Sequence, residues 1–426
     1  MTPAPRTRPP GPLDAAGAAD RVLSGALRWI ETQVEWFAPE RWEQYLPRRP
    51  FRAGPLLELL GLVRVLDRAG VLADTAPLRS AALDLAEEAV RARSFEAGLR
   101  AGDDLFPYHL NLIALLDRLG RPQPALRRLC QTLLTADAGG LTRPYKPVFN
   151  RLELRYFTDR GAFTPPPGLP EAHTLLQQSI AALHPDVLHL TESETYALTH
   201  VVFYATDFGR NPLMLDDAAA NAHLRATVRT LLGVHLSRAS LDLLAELLLC
   251  TSALAPAPKT PETPAAPSPS ETPDAATAAW HALAAASRPD GAVPGPVHRP
   301  EVMAGLSGDK AAAYLFGTCY HTTTVAALAA ATRKPHPSDA SHPLTLPPAE
   351  PDRLRSWAHE VTSAAASAPR TLRASWAAQL DPLLVIAAQT RDPDLLATLL
   401  HTATALDLAT LPVPHRAAAL LSAWTH

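Results

Sequence analysis

The strongest constraint on the fold is the spacing of the apolar residues, which recur at three- and four-residue steps along most of the chain. Near the N-terminus, for example, the apolar positions are Leu23, Leu27, Ile30, Val34 and Phe37. Such spacing places them on one face of a helix. Ala and Leu dominate the 426 residues, and period-two alternation of β-branched residues is nearly absent. Both facts favour helices over strands. The sequence therefore predicts an all-α protein.

We predict about fifteen helices of ordinary length, joined by short loops rich in Pro, Gly, Asp and Asn. The predicted helices span 22–37, 56–66, 78–90, 107–119, 124–136, 171–183, 192–206, 217–235, 239–253, 275–287, 310–332, 352–366, 371–389, 393–406 and 415–424. Prolines are expected between these segments rather than inside them, because proline lacks the backbone N–H and fixes φ.

Helices in this number form either an α/α barrel, in which inner and outer helices alternate, or an open solenoid of helix pairs. A solenoid shows a repeat of roughly 33 to 47 residues, and the chain has no clear self-similarity at those periods. A barrel needs sheltered, nearly uncharged helices, as in 195–206 and 311–332, and amphipathic ones, as in 219–238 and 351–366. We therefore predict a toroid-like α/α barrel in a single large domain.

Pro-rich stretches divide the predicted domain. Residues 1–20 are expected to be a disordered arm, and residues 21–254 the first part of the helical barrel. A Pro-rich linker is predicted at 255–274, followed by the second part of the barrel at 275–426. A shorter linker of the same kind is expected at 335–351.

The segment 141–170 differs from the rest of the chain. It carries the aromatic residues Tyr145, Phe149 and Tyr156 among several arginines and prolines, without a helical pattern. A long irregular connection in a compact domain is uncommon, and it is usually functional when it is ordered. We interpret the segment as an irregular insertion that serves as a lid or an edge covering, with 152–157 as a candidate hairpin strand.

The composition excludes two classes of protein, disordered chains and general nucleic-acid-binding proteins. Apolar residues make up 47% of the chain and charged residues 19%, below the ~25% of an average globular chain, so a large core can be buried. The net charge is −3, from 39 Lys and Arg against 42 Asp and Glu, and the pI is near 6.6. Nucleic-acid binding needs a basic face, so no nucleic-acid partner is expected.

The cysteines and the apolar segments bear on where the protein works. Cys130, Cys250 and Cys319 are widely spaced and form no CxxC motif, so a disulfide framework is not expected and a reducing cytoplasm is favoured. No apolar region follows the N-terminal arginines, so no signal peptide is visible. The uncharged segment 311–332 is long enough to span a bilayer, but its Thr, His and Gly residues favour a buried helix. We expect no membrane association.

The segment 191–212 is the most informative for chemistry. Its residues Tyr196, His200, Tyr204 and Asp207 recur at three- and four-residue steps, so they share one helix face. Polar groups on an otherwise apolar helix are costly unless they are paired or face water. The stripe therefore predicts a cavity wall on which His200 is a base, and Asp207 orients it or binds a cation. The alternative is that Asp207 caps a loop and His200 is a satisfied core histidine.

A second candidate segment, 305–324, contains Cys319 and His321, whose side chains are typical zinc ligands and also form nucleophile pairs. We expect both to reach one point if they lie near a helix start, with a third ligand from Asp207, His200 or His109. Zinc or another divalent ion is then a candidate cofactor. The alternative is that Cys319 is a small buried hydrophobe. The segment 103–109 is a weaker candidate, because capping alone accounts for its aspartates.

The sequence around Cys319 resembles a known superfamily. The string Tyr314-Leu-Phe-Gly-Thr-Cys-Tyr-His-Thr-Thr-Thr-Val-Ala-Ala-Leu-Ala resembles the inner-helix entry of α/α-toroid enzymes, which include terpenoid cyclases, protein prenyltransferase β subunits and lanthionine cyclases. In the prenyltransferase pattern the zinc-binding histidine stands two residues before the cysteine, where this chain has Gly317. The resemblance therefore implies the fold and no ligand assignment. The THVVFYATDFG string also resembles a group of uncharacterised proteins from high-GC bacteria.

Two functions follow as hypotheses. The first is an enzyme of bacterial secondary metabolism that acts by acid–base chemistry, with or without a metal ion. It would catalyse cyclisation, isomerisation or group transfer on an apolar small molecule or a modified peptide, with His200, Tyr204, Asp207, Cys319 and His321 at its site. Motifs for a nucleotide cofactor, such as GxGxxG and GxxxxGK[ST], are absent from the sequence, so none is expected. The second is a non-catalytic helical scaffold. The oligomeric state stays open.

Overall fold

The computed structural model describes residues 14–71, 77–255, 273–334 and 342–425. Within these ranges the protein is all-α, with 69% helix and no strand, and an isolated bridge joins Asp274 to Pro343. The helices are α1 Ala15–Thr32, α2 Pro39–Trp42, α3 Gly54–Arg68, α4 Pro77–Arg91, α5 Arg93–Ala101, α6 Phe106–Arg118, α7 Pro124–Thr135, α8 Val148–Arg160, α9 Ala172–Gln177, α10 Glu192–Thr206, α11 Ala218–Ser237, α12 Leu241–Ala253, α13 Ala275–Ala286, α14 Pro300–Ala304, α15 Gly308–Ala331, α16 Pro351–Ala364, α17 Arg370–Thr390, α18 Pro393–Ala405 and α19 Pro412–Thr425. The predicted all-α class is confirmed.

Helix boundaries follow the capping residues of the sequence. Thr191 and Glu194 form a reciprocal capping box that starts α10, and proline occupies the first turn of several helices, where no N–H partner is lost. Pro382 is an exception, because it lies inside α17. A Cβ on Gly233 of α11 would approach the ring of Pro382 to 2.3 Å, so this glycine makes room for the buried proline.

Six helices pack against one another in a closed order. Helix α3 contacts α6, α6 contacts α8, α8 contacts α10, α10 contacts α12, α12 contacts α15, and α15 returns to α3. The helices between them in the chain contact members of this series: α4 packs on α3, α5 and α7 on α6, α9 on α8, and α11 and α13 on α12. Helix α1 packs on α13 and α15, and α16–α19 pack together, with α17 seated on α11. The six-helix series positions the site.

The prediction of an irregular insertion at 141–170 is wrong for its centre, where α8 spans Val148–Arg160. The candidate hairpin strand at 152–157 is wrong for the same reason. The eight residues from Arg151 to Thr158 are all buried. Because α8 is surrounded, its sequence lacks the one-sided apolar pattern by which an amphipathic helix is recognised.

The predicted arm and linkers are tested only in part. Helix α1 starts at Ala15 because the Asp14 carboxylate caps it, accepting from the Gly17 N–H at 2.8 Å, so the disordered arm is wrong for residues 15–20. Residues 1–13, 256–272 and 335–341 lie outside the described residues. None of the described helices has the length and apolarity needed to cross a membrane, and this includes α15 over the uncharged segment.

Candidate active site

A cavity of about 470 Å³ lies among the six packed helices, and each of them contributes to its wall. Polar side chains enter it from every helix of the series: Glu58 of α3, Tyr108 of α6, Glu153 of α8, His200 and Tyr204 of α10, Glu246 of α12 and His321 of α15. The rest of the wall is mostly aromatic and aliphatic. A concave apolar pocket with a few converging polar groups is typical of a small-molecule site.

Aromatic rings surround His200 on the α8–α10 side of the cavity. The Tyr204 ring stacks on Tyr156 with centroids 5.0 Å apart, and on Phe149 at 6.1 Å. The His200 ring meets Phe149 at 6.2 Å and Phe203 at 5.4 Å. These contacts hold the imidazole in a fixed orientation at the wall.

The hydrogen bonds of His200 determine its tautomer. Its Nδ1 lies 2.9 Å from the carbonyl oxygen of Tyr196, one turn earlier in α10, and 3.6 Å from Oε2 of Glu246. A carbonyl can only accept, so Nδ1 carries the proton and donates. In the neutral imidazole the lone pair is then on Nε2, from which His200 can take a proton from a molecule in the cavity.

Glu153 is the buried acid of the same wall. Its Oε1 accepts a hydrogen bond from the Tyr204 hydroxyl at 2.8 Å. Burial raises the pKa of Glu153, although hydrogen bonds from Tyr204 and Tyr108 and the nearby His200 oppose the rise. Burial, together with the Glu153 charge, raises the pKa of Tyr108 to about 12 and that of Tyr204 well above its ordinary range. Both phenols therefore stay protonated as donors to Glu153.

Asp242 and Glu246 are four residues apart and share one face of α12. Asp242 accepts hydrogen bonds from Tyr196 at 2.6 Å and from Thr322 at 2.7 Å. Glu246 is 1% exposed, and its Oε2 accepts from Thr199, whereas its Oε1 has no hydrogen-bond partner. Burial raises the pKa of Glu246.

His321 of α15 faces these carboxylates. Its Nδ1 bonds to Oε2 of Glu58 at 2.8 Å, and its Nε2 lies 3.7 Å from Asp242 Oδ2 and 3.9 Å from Glu246 Oε1. Burial opposes the charged form, but the three carboxylates outweigh it and raise the pKa of His321 to about 10. The bond to Glu58 places a proton on Nδ1.

Asp207 is placed away from His200, which corrects the expectation that it orients this histidine. It ends α10 in the left-handed conformation, with φ of 48°. It is paired with Arg64, bonds to Arg68 at 2.9 Å and accepts from the Tyr156 hydroxyl at 2.7 Å. In the described structure no hydrogen bond or ion pair joins it to His200. Arginine side chains pair with the carboxylate, so Asp207 anchors the end of α10.

Cys319 and His321 do not meet, so the expected Cys–His zinc pair is not formed. Helix α15 starts at Gly308, which puts both residues in its interior, where positions two apart lie on different faces. The Cys319 thiol is buried 3.8 Å from His298 Nδ1, and burial raises its pKa. His109 lies in another pocket. Of the three ligands proposed to complete the pair, only His200 lines the cavity with His321.

The sequence interpretation missed the four carboxylates of the site, Glu58, Glu153, Asp242 and Glu246. Three of them lie within strongly apolar stretches, LLELLGLV around Glu58 and LDLLAELLLC around the α12 pair, whereas Glu153 stands between two arginines. A buried charge is costly unless it is paired. Carboxylates in an apolar helix were therefore the signal for Glu58, Asp242 and Glu246, and the sequence gives no such signal for Glu153.

These features define a class of protein: an all-α chain whose helices surround one aromatic and acidic cavity. Residues 23–331, more than half of the chain, match a family model described as "Domain of unknown function (DUF6895)", and the chain belongs to that family. The match covers all six cavity helices and ends with α15. Neither the curated proteins nor the solved structures include a match to this chain.

Proposed function

We propose that the protein is an enzyme that moves a proton within a small, largely apolar molecule held in the cavity, giving isomerisation or cyclisation. The observation that carries the proposal is the position of His200. Its ring lies in the aromatic wall of the cavity, and its Nδ1 donates a hydrogen bond to the Tyr196 carbonyl oxygen. A histidine fixed in this tautomer presents the unprotonated Nε2 that a general base needs.

Glu153 is the acid of the proposed reaction. It lines the same cavity, and burial favours its protonated form. In the reaction, His200 takes a proton from one position of the molecule and Glu153 returns a proton at another. His200 then releases its proton to solvent and Glu153 regains one from solvent, so no co-reactant is consumed. Proton transfer by groups held in place contributes about 10²–10⁴-fold to rate.

The architecture that best accommodates this chemistry is the α/α barrel. We infer that α3, α6, α8, α10, α12 and α15 are its inner helices, and that α4, α5, α7, α9, α11 and α13 belong to the outer layer. The closed order of contacts and the alternation of the two sets along the chain support this arrangement. An inner ring of helices shelters a bound molecule from water, which strengthens the interactions with charged groups inside it.

The dimensions of the cavity favour a small molecule over a modified peptide as the substrate. About 470 Å³ falls within the ~300–1,000 Å³ of pockets that enclose drug-sized ligands. We also propose that the enzyme acts in secondary metabolism and works in the cytoplasm. The three cysteines are buried free thiols, which supports a reducing compartment.

The experiment exploits the exchange of the transferred proton with solvent. Purified protein is incubated in D₂O with a small-molecule extract of bacterial cells, and the extract is compared by mass spectrometry before and after incubation. We expect a specific compound to gain one deuterium or to convert to an isomer. His200→Gln should abolish this change, because the amide cannot act as the base, and Glu153→Gln should slow it at least tenfold.

The matched control is His359→Gln, which alters an exposed histidine of α16 and should behave as wild type. Circular dichroism and thermal unfolding show whether each variant retains its fold. If no compound changes with the wild-type protein, or if folded His200→Gln acts as wild type does, the acid–base proposal is wrong. The first outcome would favour the scaffold hypothesis.

A further inference from the structure

One ligand atom from each of Asp242, Glu246 and His321 lies within 4.8 Å of the other two. Asp242 and Glu246 stand one turn apart on α12, and His321 approaches them from α15. From this arrangement we propose that the three side chains bind a divalent first-row transition-metal ion. The proposal goes beyond the acid–base function, because binding of the ion requires no turnover.

One oxygen of the cluster lacks the hydrogen bond that its burial demands. Glu246 Oε1 is buried without a partner, while Oε2 of the same carboxylate is held by Thr199. His321 Nε2 forms no hydrogen bond within the described structure, and Glu246 Oε1 is 3.9 Å away from it. A buried oxygen without a partner costs free energy. An ion bound between the two atoms would displace the Nε2 proton of His321 and engage one lone pair of each atom.

The charge balance of the cluster also favours a cation. The carboxylates of Glu58, Asp242 and Glu246 surround the imidazole of His321. Among the described residues, no Lys or Arg forms an ion pair with any of these three carboxylates. A dication would offset the excess negative charge.

The distances and donor types indicate which ions fit. With metal–ligand bonds of about 2.1 Å, neighbouring ligand atoms of a tetrahedral site are ~3.4 Å apart. His321 Nε2 lies 3.7 Å from Asp242 Oδ2 and 3.9 Å from Glu246 Oε1, so these two distances require only a small contraction. All three ligand atoms lie within 4.8 Å of one another. Two carboxylates and an imidazole suit Mn²⁺, Fe²⁺ or Zn²⁺. Because Glu246 and His321 line the cavity, a remaining coordination position would open onto it.

The surroundings of the three side chains hold them as a metal site requires. Glu58 accepts the Nδ1 proton of His321, which directs Nε2 toward α12. Tyr196 and Thr322 each donate to one oxygen of Asp242. Carboxylates that orient a ligand imidazole in this way commonly contribute 10–100-fold to metal affinity. Glu58 is thus a positioning residue for the ion.

The test is titration of the chelator-treated full-length protein with Mn²⁺, Zn²⁺ and Co²⁺, without substrate. We expect one ion per chain by calorimetry, and a visible Co²⁺ absorption spectrum without the near-ultraviolet band of a cobalt–thiolate bond. Asp242→Asn, Glu246→Gln and His321→Gln should each weaken binding more than tenfold, and Glu58→Gln should weaken it by about 10–100-fold at unchanged stoichiometry. Glu153→Gln, which alters a buried carboxyl group of the same cavity outside the cluster, should bind as wild type.

The wild-type spectrum keeps the test decisive even if a variant fails to fold. Absence of stoichiometric binding, or a cobalt–thiolate band, would overturn the assignment, and so would wild-type affinity in folded His321→Gln. These outcomes are independent of the deuterium experiment. A protein that binds no ion but labels its substrate keeps the acid–base function, and a protein that binds the ion but labels nothing keeps the metal site alone.

Discussion

Glu58 accepts a hydrogen bond from Nδ1 of His321 at 2.8 Å, and this bond joins the first and last helices of the six that surround the cavity. The two residues are 263 positions apart in the chain. A contact of such long range links α3 to α15 and orients the imidazole toward α12. Its contribution to folding can be measured apart from any role in function.

We predict that Glu58 and His321 are energetically coupled. In a double-mutant cycle of Glu58→Gln, His321→Gln and both together, the coupling free energy should be about 1 kcal/mol, because a charge-assisted hydrogen bond at a partly exposed site is lost. Urea unfolding of the four chelator-treated proteins measures it. Additive losses would show that the bond does not contribute to stability.

Asp207→Asn should lower the free energy of unfolding by about 3 kcal/mol, because it leaves the buried guanidinium of Arg64 without its counter-charge. Asparagine tolerates the left-handed backbone at this position, so the substitution tests the charge rather than the conformation. The measurement is urea unfolding. Asp352→Asn breaks an ion pair at an almost fully exposed carboxylate and should change stability by less than ~0.5 kcal/mol. Equal effects of the two substitutions would show that Asp207 does not stabilise the fold as the counter-charge of Arg64.

Much of the helical content could be predicted from the sequence, because helices with one wet face show a regular apolar pattern. Helix α8 shows where this fails, because its residues from Arg151 to Thr158 are buried on all faces. Two of its polar residues, Glu153 and Tyr156, form hydrogen bonds to residues at the end of α10, and the local pattern does not reveal these tertiary partners. The short helices α2 and α14, of four and five residues, carry too few turns to show a period.

The candidate site was predicted in part. The α10 stripe led to His200 and Tyr204, which both line the cavity. Asp207 lies on the same stripe, but it follows the last residue of the helix and turns toward arginines of α3. Which residues of other helices meet a stripe depends on long-range packing. The sequence of α10 contains no information on Glu246 or Glu153, although Glu246 could have been singled out in its own apolar helix.

Native protein should not react rapidly with a thiol reagent. Cys130, Cys250 and Cys319 are all buried, and burial raises the pKa of each thiol, that of Cys130 to about 12. The thiolate, which is the reactive form, is therefore scarce. A colorimetric thiol assay should detect no fast-reacting group in the folded protein and three groups in urea. A fast-reacting Cys319 in native protein would show that its thiol is accessible and restore it as a candidate nucleophile.

Acidification should destabilise the protein through His235. Burial, aided by Arg238, lowers the pKa of this α11 histidine to about 4. Between pH 6.5 and 4 the unfolded chain takes up a proton that the folded chain refuses, so the stabilising contribution present above pH 6.5 is lost as the pH falls. At about 1.4 kcal/mol per pH unit the loss approaches 3 kcal/mol. Urea unfolding over this range should show a shallower pH dependence for His235→Leu than for wild type.

The control for this pH dependence is His359→Leu, which removes an exposed histidine of α16 and should retain the wild-type dependence. Comparison of the two variants cancels the carboxylates that titrate in the same range. If wild type and His235→Leu lose stability in parallel, His235 accepts its proton in the folded protein, and the burial argument is wrong.

Gly291→Ala should strongly destabilise the protein. Gly291 has a φ of 97°, and a Cβ there would lie 2.1 Å from the carbonyl oxygen of Gly25 in α1. The obstacle is backbone, so it cannot move aside without displacing α1, and we expect a loss of at least about 3 kcal/mol. Gly70→Ala is the matched control, since its φ is 71° but nothing lies within 4 Å of the added Cβ. It should cost only the ~1–2 kcal/mol of a left-handed alanine. Thermal and urea unfolding of both variants measure the difference, and equal losses would show that α1 does not pack against this turn.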